Sequence, residues 1–251
     1  MKTLIFSDTH LTSVFNPLKF NYLRRIITNA DRVVINGDFW DRGFVTFNQF
    51  LQSRWRSLFP LLRSRKAIYL YGNHDQQNWC DERVAEFSVY QCKEIKLDVG
   101  SKQLVVTHGD KITASPELYI PWHSARSFNA QLGSRVEAAG IKLLGNRFQK
   151  IGSFSNKSMK LFAQKHLSEN EILLCGHSHM PEWSPSENYI NSGINRHGCG
   201  QYVLIEDDRL RLVLEYWETS MRVDLSSLST HRGSAFAAAG QNLSTQFVSK
   251  N

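Results

Sequence analysis

Apolar and β-branched residues recur along the chain in short runs, and helical patterns separate the first of these runs from one another. The strand-like runs cover residues 3–6, 32–35, 67–71, 103–107 and 172–175. Because apolar residues occupy consecutive positions, both faces of these strands are expected to be buried. Apolar side chains at helical spacing lie between the first three runs, in 18–27 and 47–55. This alternation of strand and helix predicts a layered α/β core.

The chain beyond residue 110 departs from this alternation. Residues 111–170 contain no strand-like run and predict amphipathic helices, a helical cap inserted over the core, whose apolar face would comprise Leu132, Val136, Ile141, Leu143 and Leu144. Short strands at 188–191, 201–206 and 209–217 favour a second, mainly antiparallel sheet packed against the first. The final residues are rich in Ser, Ala and Gly, which is typical of a disordered tail. The predicted organisation is a core of 1–110 and 171–224, a cap of 111–170 and a tail of 225–251.

The charge of the chain indicates the kind of partner it binds, and its cysteines indicate the cellular compartment. The 251-residue chain has a formal net charge of +7, which favours an anionic partner such as nucleic acid or a phospholipid headgroup, although basic side chains also serve solubility. No CxxC pattern is formed by Cys80, Cys92, Cys175 and Cys199, which argues against a thiolate zinc site or a disulfide framework. No apolar run of about 18 residues is present, and residues 1–8 are typical of a first strand rather than a signal peptide. We expect a cytoplasmic protein without a transmembrane segment, with peripheral contact at the inner face of a membrane as an alternative.

Polar residues that can bind metal follow five of the predicted strands. They are Asp8 and His10, Gly37-Asp38, Gly72-Asn73-His74-Asp75, His108-Gly109-Asp110 and Gly176-His177-Ser178-His179. Ligands in α/β sheets gather outside the carboxyl ends of the strands, so these segments are expected to form one composite site. Carboxylate, amide and imidazole donors together suit divalent Mn, Fe, Co or Zn, and two such cations roughly 3.5–4 Å apart can hold both oxygens of an in-line displacement. Each motif alone is common in turns and surface loops, but their joint order predicts a metal site.

In this order the segments resemble the five motifs of the calcineurin-like metallophosphoesterases, over residues 1–217. The resemblance implies an α/β fold, a four-layer αββα sandwich of two mixed β-sheets with a helical cap insertion. It also implies hydrolysis of a phosphate ester or pyrophosphate by a hydroxide that bridges two divalent metal ions, with Mn2+ expected and Fe, Zn, Co or Ni as alternatives. The first metal would be held by Asp8, His10, Asp38 and His179. The second would be held by Asp38, Asn73, His108 and His177. His74 would contact the phosphate or protonate the leaving oxygen, with Asp75 orienting it, and Asp110 would orient a ligand histidine.

The insertion between the fourth and fifth motifs resembles that of the UDP-diacylglucosamine pyrophosphatases, in which a helical cap holds the acyl chains. An anionic, lipid-linked pyrophosphate is therefore the leading substrate expectation. Residues 153–158 are interpreted either as a polar substrate contact or as a loop between helices. Substrate contacts are expected from Arg42, Arg147, Lys157 and His197. For Arg42, an ordinary salt bridge is an equal alternative, and for His197, which lies outside the motifs, a structural or exposed position is the alternative.

One residue departs from that subfamily, which has arginine at the position of His74. Histidine there is typical of the wider superfamily, which includes nucleases, cyclic-nucleotide phosphodiesterases and protein phosphatases. A phosphodiesterase or phosphatase acting on nucleotides, nucleic acid or phosphoprotein is therefore the alternative function. A non-catalytic scaffold that binds nucleic acid is a third, although a scaffold would usually have lost ligands and all seven candidates are present here.

Overall fold

The computed structural model describes residues 1–113, 126–144, 150–218 and 221–229, which form two mixed β-sheets and the helices around them. The strands of the first sheet are β1 (Lys2–Phe6), β2 (Arg32–Asn36), β3 (Ile68–Leu70), β4 (Tyr90–Cys92), β10 (Cys199–Glu206), β11 (Arg209–Tyr216) and β12 (Met221–Ser229). Those of the second sheet are β5 (Glu94–Val99), β6 (Lys102–Thr107), β7 (Glu171–Cys175), β8 (Glu182–Ser184) and β9 (Tyr189–Asn191). The α-helices are α1 (Pro17–Thr28), α2 (Phe47–Gln52), α3 (Phe59–Ser64), α4 (Arg126–Leu144) and α5 (Ser153–His166). Short 3-10 helices occupy Arg54–Leu58, Gln77–Trp79, Glu82–Glu86, Lys150–Gly152 and Pro185–Glu187.

The late strands are divided between the two sheets. The first sheet has the order β12-β11-β10-β1-β2-β3-β4, in which β1 to β4 are parallel and β10 pairs antiparallel with β1. The second has the order β5-β6-β7-β9-β8, with β6, β7 and β9 parallel. The expectation of a separate antiparallel sheet for the late strands is therefore wrong. Seven of the eight residues of β10 are buried, and a place beside β1 in the middle of the sheet covers both faces of that strand.

Alternate residues of β1 and of β6 pack into different apolar clusters. In β1, Leu4 and Phe6 join the cluster formed with α1, α2 and α3, whereas Ile5 joins the cluster between the two sheets. In β6, Leu104 faces the first sheet, whereas Val105 packs with residues of α5. The layers are thus α1 to α3, the first sheet, the second sheet and α5. The predicted αββα sandwich is confirmed.

Helices α1 and α2 begin well after the strands that precede them. The side chain of Asn16 caps α1 by accepting the backbone N–H of Lys19 at 3.1 Å, and Pro17 occupies the first turn, where a missing N–H costs nothing. Thr46 and Gln49 form a capping box at the start of α2. These caps leave residues 7–16 and 37–46 as the loops that follow β1 and β2, and the polar segments lie in those loops.

The insertion between β6 and β7 contributes α4 and α5 to the described structure. Met159 and Ala163 pack α5 onto the second sheet. In α4, Ile141 is buried against Ile194 and Cys199. The expected apolar face is otherwise not buried, since four of its members are between 52 and 80 % exposed: Leu132, Val136, Leu143 and Leu144. Helical spacing correctly indicated a helix, but the side of α4 that faces the core is a different one.

The C-terminal part of the described chain is a strand. β12 pairs with β11 and extends to Ser229, so the first residues of the expected tail lie in a sheet, and 230–251 lie outside the described residues. The four cysteines are free, with Cys175 and Cys199 buried. Within the described ranges, no helix combines the length and the apolar character needed to cross a bilayer.

Candidate metal centre

The five polar segments follow the carboxyl ends of β1, β2, β3, β6 and β7, and backbone contacts hold their loops side by side. The N–H of His10 donates to the carbonyl of Asp38 at 2.9 Å, which joins the loops after β1 and β2. The N–H of Gly176 donates to the carbonyl of His108 at 3.0 Å, which joins the loops of the second sheet. The side chain of Asn36 donates to the carbonyl of Thr107 at 3.0 Å and so links the two sheets. The segments are therefore brought to one edge of the sandwich.

The first group of donors comes from the loops after β1, β2 and β7. Oδ1 of Asp8 lies 3.9 Å from Nε2 of His10 and 3.4 Å from Nε2 of His179. The two imidazole nitrogens are 3.2 Å apart. Oδ2 of Asp38 lies 3.7 Å from Nε2 of His10. The structure thus brings together the four residues that were expected to hold the first metal.

The second group of donors shares Asp38 with the first. Oδ1 of Asn73 lies 3.2 Å from Nε2 of His108 and 2.9 Å from Nδ1 of His177. Nε2 of His108 lies 3.3 Å from Oδ2 of Asp38. The same carboxylate oxygen therefore faces both groups, which is the arrangement expected where one carboxylate is shared by two cations.

Hydrogen bonds alone do not satisfy these buried groups. Oδ1 of Asp8 is buried and has no hydrogen-bond partner among the described residues. Nε2 of His10 and Nε2 of His179 face each other 3.2 Å apart, and two ring nitrogens in contact cannot both carry a proton without repulsion. One donor atom from each of Asp8, Asp38 and His108 can be chosen so that all lie within 4.8 Å of one another. Buried carboxylates require compensating charge, and this oxygen and nitrogen donor set fits divalent cations.

The electrostatics of the pocket favour positive charge. Burial opposes protonation of His108, but the Asp38 carboxylate outweighs burial and the pKa of His108 is raised to about 10. Burial is likewise outweighed at His179, where the carboxylate of Glu137 raises the pKa to about 10. Burial and the neighbouring His108 lower the pKa of His177 to about 4. The buried carboxylates therefore attract a cation, whether that cation is a proton or a metal ion.

Five of the seven candidate ligands have a backbone conformation that residues with side chains rarely adopt. Their φ angles are 54° at Asp8, 44° at His10, 53° at Asp38, 65° at His177 and 58° at His179. Each such conformation costs on the order of 1–3 kcal/mol and persists where the surrounding structure enforces it, most often at functional sites. The loops are therefore shaped by the site rather than by local backbone preference.

Two glycines allow the loops to approach one another closely. A Cβ at Gly37 would lie 2.6 Å from Cγ of His108, and the φ of Gly37 is 81°, a left-handed value that glycine adopts without cost. A Cβ at Gly176 would lie 2.7 Å from Cβ of Ser7. Side chains at these two positions would push the loops of the two sheets apart.

A profile of the calcineurin-like phosphoesterase superfamily domain matches residues 1–197, a span that contains all five polar segments. The chain belongs to the calcineurin-like phosphoesterase superfamily. The resemblance predicted from the motifs is confirmed, and with it the assignment of the chain as a metal-dependent hydrolase that acts on a phosphate-containing substrate.

Several solved structures resemble this phosphoesterase at low sequence identity. YfcE, a phosphoesterase from Escherichia coli, is 16% identical, and the match covers 91% of this chain and 98% of that chain with a TM-score of 0.45. A single mutant of Vps29 from Entamoeba histolytica is 14% identical, with 89% and 99% covered and a TM-score of 0.47. A protein from Streptococcus pneumoniae, described as a predicted phosphoesterase, is 16% identical, with 90% and 97% covered and a TM-score of 0.43. No curated protein matches the chain, so the family assignment rests on the profile match.

Asp41 joins a candidate ligand of the phosphoesterase to the predicted acid. Its Oδ2 accepts from Nδ1 of His10 at 3.1 Å, and its Oδ1 accepts from Nδ1 of His74 at 3.1 Å. The rings of His10 and His74 meet edge to face with centroids 4.7 Å apart, and the His74 side chain is 18 % exposed. The orienting partner expected for His74 was Asp75, and the structure gives that position to Asp41.

The Asp75 carboxylate accepts hydrogen bonds from the backbone of two loops and not from the imidazole of His74. Its Oδ1 accepts the backbone N–H of Gly72 at 2.7 Å and of Asp38 at 3.0 Å, and its Oδ2 accepts that of Phe39 at 2.6 Å. The Asp75 side chain is fully buried. It therefore fastens the loop after β2 to the loop after β3, which fixes the backbone of a candidate ligand.

Two residues of the insertion contact the fifth motif. Oε1 of Glu137, on α4, accepts from Nδ1 of His179 at 2.5 Å. Oδ1 of Asn156, on α5, accepts from Oγ of Ser178 at 2.6 Å. The stretch 153–158, interpreted as a polar contact or a loop, forms the first turns of α5. The insertion thus reaches the candidate metal centre directly.

The residues expected to contact substrate have different environments. The backbone N–H of Arg42 donates to the carbonyl of His74 at 3.0 Å, so Arg42 lies beside the predicted acid. Lys157 is exposed on α5. Nε2 of His197 lies 3.1 Å from Oε2 of Glu137, and Arg147 lies outside the described residues. Sequence reasoning gave no role to Glu137, although it is the only acidic residue of α4 and that isolation was an available signal.

Proposed function

We propose that the phosphoesterase binds two divalent metal ions and hydrolyses a phosphate ester or pyrophosphate between them. The first ion would be held by Asp8, His10, Asp38 and His179, and the second by Asp38, Asn73, His108 and His177. The observation that carries the proposal is the convergence of both donor groups on Oδ2 of Asp38. When bound, the ions supply Lewis-acid activation of water and of a phosphoryl oxygen. Manganese is the expected ion, with Fe, Zn, Co or Ni as alternatives.

We assign His74 to the phosphate and the leaving oxygen. The Asp41 carboxylate lies 3.1 Å from Nδ1 of His74 and orients the imidazole beside the donor groups. The partial exposure of His74 leaves it accessible to substrate. A positioned general acid contributes typically about 10²–10⁴-fold to the rate.

The best substrate candidate is a lipid-linked pyrophosphate of the UDP-diacylglucosamine type. A cavity of about 870 Å³ lies beside the third and fourth motifs, and this volume is within the range of pockets that hold sizeable ligands. Its lining includes Gly72 and Asp110 from the motifs. Apolar side chains of its wall are Val105, Ile112, Phe162, Leu167 and Leu173. None of the seven donor residues lines this cavity, so it suits the hydrocarbon part of such a substrate, and the phosphate would lie outside it at the donor groups.

The second candidate is a phosphodiesterase or phosphatase that acts on nucleotides, nucleic acid or phosphoprotein. It is favoured by the imidazole of His74, where the pyrophosphatase subfamily has arginine, and by the contact of that imidazole with Asp41. A scaffold that binds nucleic acid without catalysis is disfavoured because all seven donor residues lie together.

The purified full chain, supplied with MnCl2, should be assayed against UDP-diacylglucosamine, bis-p-nitrophenyl phosphate, a phosphopeptide and single-stranded DNA. We expect the first to be hydrolysed fastest. Asp38→Ala should abolish turnover and reduce bound manganese, whereas the matched control Asp98→Ala, at an exposed position of β5, should do neither. Unchanged turnover in Asp38→Ala would end the two-metal proposal. A protein without bound metal whose DNA affinity collapses with salt would favour the scaffold instead.

A further inference from the structure

A histidine that binds a metal ion needs an acceptor for its other ring nitrogen. A neutral imidazole carries one N–H, so the nitrogen that faces the ion is bare, and the acceptor of the other nitrogen fixes the tautomer and the ring orientation. For His10 this acceptor is Oδ2 of Asp41, at 3.1 Å. For His108 it is the backbone carbonyl of Asn36, at 2.8 Å. Both acceptors lie in β2 or in the loop that follows it, within the core of the sandwich.

His179 obtains its acceptor from the inserted helix α4. Its Nε2 faces Oδ1 of Asp8 at 3.4 Å, and its Nδ1 lies 2.5 Å from Oε1 of Glu137. The Glu137 side chain is only 18 % exposed. Acidic side chains are seldom withdrawn from solvent in this way unless they are paired, and here the pair is a candidate metal ligand.

The second oxygen of the Glu137 carboxylate is held as well. Oε2 accepts from Nε2 of His197 at 3.1 Å and lies 3.5 Å from Nη1 of Arg196. Nη2 of Arg196 in turn donates to Oγ of Ser134 at 2.7 Å, one turn earlier in α4. Contacts on both oxygens therefore fix the carboxylate in the orientation that His179 requires.

The described side chains of α4, those of residues 132–144, make few apolar contacts with the core. The face of α4 toward the centre carries Ser134, Glu137 and Ile141, which lie three and four residues apart and so form one line along the helix. Of these, only Ile141 is an apolar contact, whereas the apolar side chains of Leu132 and Val136 are more than half exposed. Among the described side chains of α4, Glu137 and Ser134 therefore supply the polar contacts that attach the helix to the core beside the donor groups.

We propose that Glu137 is the positioning residue for His179, and that docking of α4 and occupancy of the first metal site are thereby linked. This proposal rests on the metal roles proposed above. Linkage between two binding equilibria is reciprocal. Docking of α4 therefore increases the metal affinity of the first site, and a bound metal ion increases the docking equilibrium constant of α4 by the same factor. Loss of such an outer partner typically lowers metal affinity by about 10–100-fold.

Titration of the metal-depleted full chain with MnCl2 tests the proposal. The wild type should bind two ions. Glu137→Ala, and Glu137→Met, which keeps the volume without an acceptor, should each retain one site and weaken the other by about 10–100-fold. Glu137→Gln keeps an acceptor oxygen and should lie between these variants and the wild type. Lys142→Ala changes an exposed side chain at the other end of α4, which has no part in the Glu137 contacts, and should retain both wild-type affinities.

Amide hydrogen exchange of residues 134–141, with and without MnCl2, supplies the second measurement. Manganese should slow this exchange in the wild type and in Lys142→Ala but not in Glu137→Met. Wild-type affinity at both sites in either non-accepting variant would overturn the proposal, and so would an equal loss in Lys142→Ala. If Glu137→Ala does not fold, Glu137→Met decides. A wild-type protein that binds fewer than two ions would instead count against the proposed function.

Discussion

Gly72 lies where the loop after β3 passes the carboxylate shared by the two donor groups. A Cβ at this position would lie 2.7 Å from the backbone nitrogen of Asp38 and closer still to its Oδ1. That Oδ1 accepts the N–H of His74 at 2.8 Å, which leaves Oδ2 to face His10 and His108. A single methyl group at position 72 must therefore displace the carboxylate on which both donor groups converge.

The size of the effect follows from these contacts. Ordinary van der Waals contact to a Cβ begins at 3.4 Å, so the Asp38 carboxylate must retreat by about 1 Å, and a misplacement of that size can lower the rate about 10²-fold. Overpacking of this kind costs roughly 1–3 kcal/mol of folding stability. Each kcal/mol lowers Tm by about 2–4 °C in a protein of this length. We therefore expect Gly72→Ala to lose most of its turnover while it remains folded at room temperature.

Turnover of bis-p-nitrophenyl phosphate, bound manganese and thermal unfolding should be measured for Gly72→Ala and for Gly133→Ala. The control makes the same chemical change in α4, where an added Cβ would have no heavy atom of the described residues within 4 Å. Alanine there should raise stability by roughly 0.5–1 kcal/mol and leave turnover unchanged. Wild-type turnover with full metal content in Gly72→Ala would refute the placement of Asp38 between two ions.

Two further substitutions separate the roles of the third motif. His74→Ala should keep both metal ions and lower turnover by about 10²–10⁴-fold. Metal analysis and steady-state kinetics measure these two quantities. If the variant loses an ion, His74 is a metal ligand and not the general acid. Asp75→Asn should lower the free energy of unfolding by about 1–3 kcal/mol, because its amide would face the N–H of Phe39 that the carboxylate now accepts at 2.6 Å. Denaturant unfolding measures this change. If the variant keeps its stability but has reduced turnover, Asp75 orients His74, as was expected from the sequence.

The convergence of the polar segments was predictable because each follows a strand that is visible as an apolar run. Asp8 and Asp38 lie two residues after the ends of β1 and β2, Asn73 lies three residues after the end of β3, and these strands are parallel neighbours. The ends of parallel neighbours lie at the same edge of a sheet. The position of each motif after a strand was therefore enough to predict that these polar side chains lie close together.

The partners that orient the imidazoles were not predictable in this way. Asp75 is adjacent to His74 in the sequence but binds backbone groups, whereas Asp41 reaches the ring from 33 residues away. Glu137 reaches His179 across 42 residues. These contacts depend on how one loop or helix packs against another, and no local pattern of residues reports that packing.

Strands at the edges of the sheets were missed for a related reason. β5 alternates exposed or half-exposed residues with buried ones and lies at the edge of the second sheet, so it shows no continuous apolar run. β4 lies at the edge of the first sheet, and none of its three residues is buried. A continuous apolar run indicates a strand whose two faces are both buried. Edge strands are partly exposed to solvent, so their sequences do not show such a run.

The charges of the centre explain why the inserted helix is part of it. Asp8 and Asp38 are buried carboxylates in one pocket, and such groups destabilise a protein unless positive charge compensates them. Metal binding supplies that charge, so binding and folding stability are linked. Glu137 adds a further carboxylate at the rim, which is compensated by His179 on one oxygen and by Arg196 and His197 on the other. Loss of the Glu137 carboxylate should consequently alter metal affinity before it alters the stability of the core, which makes this part of α4 a component of the candidate metal centre.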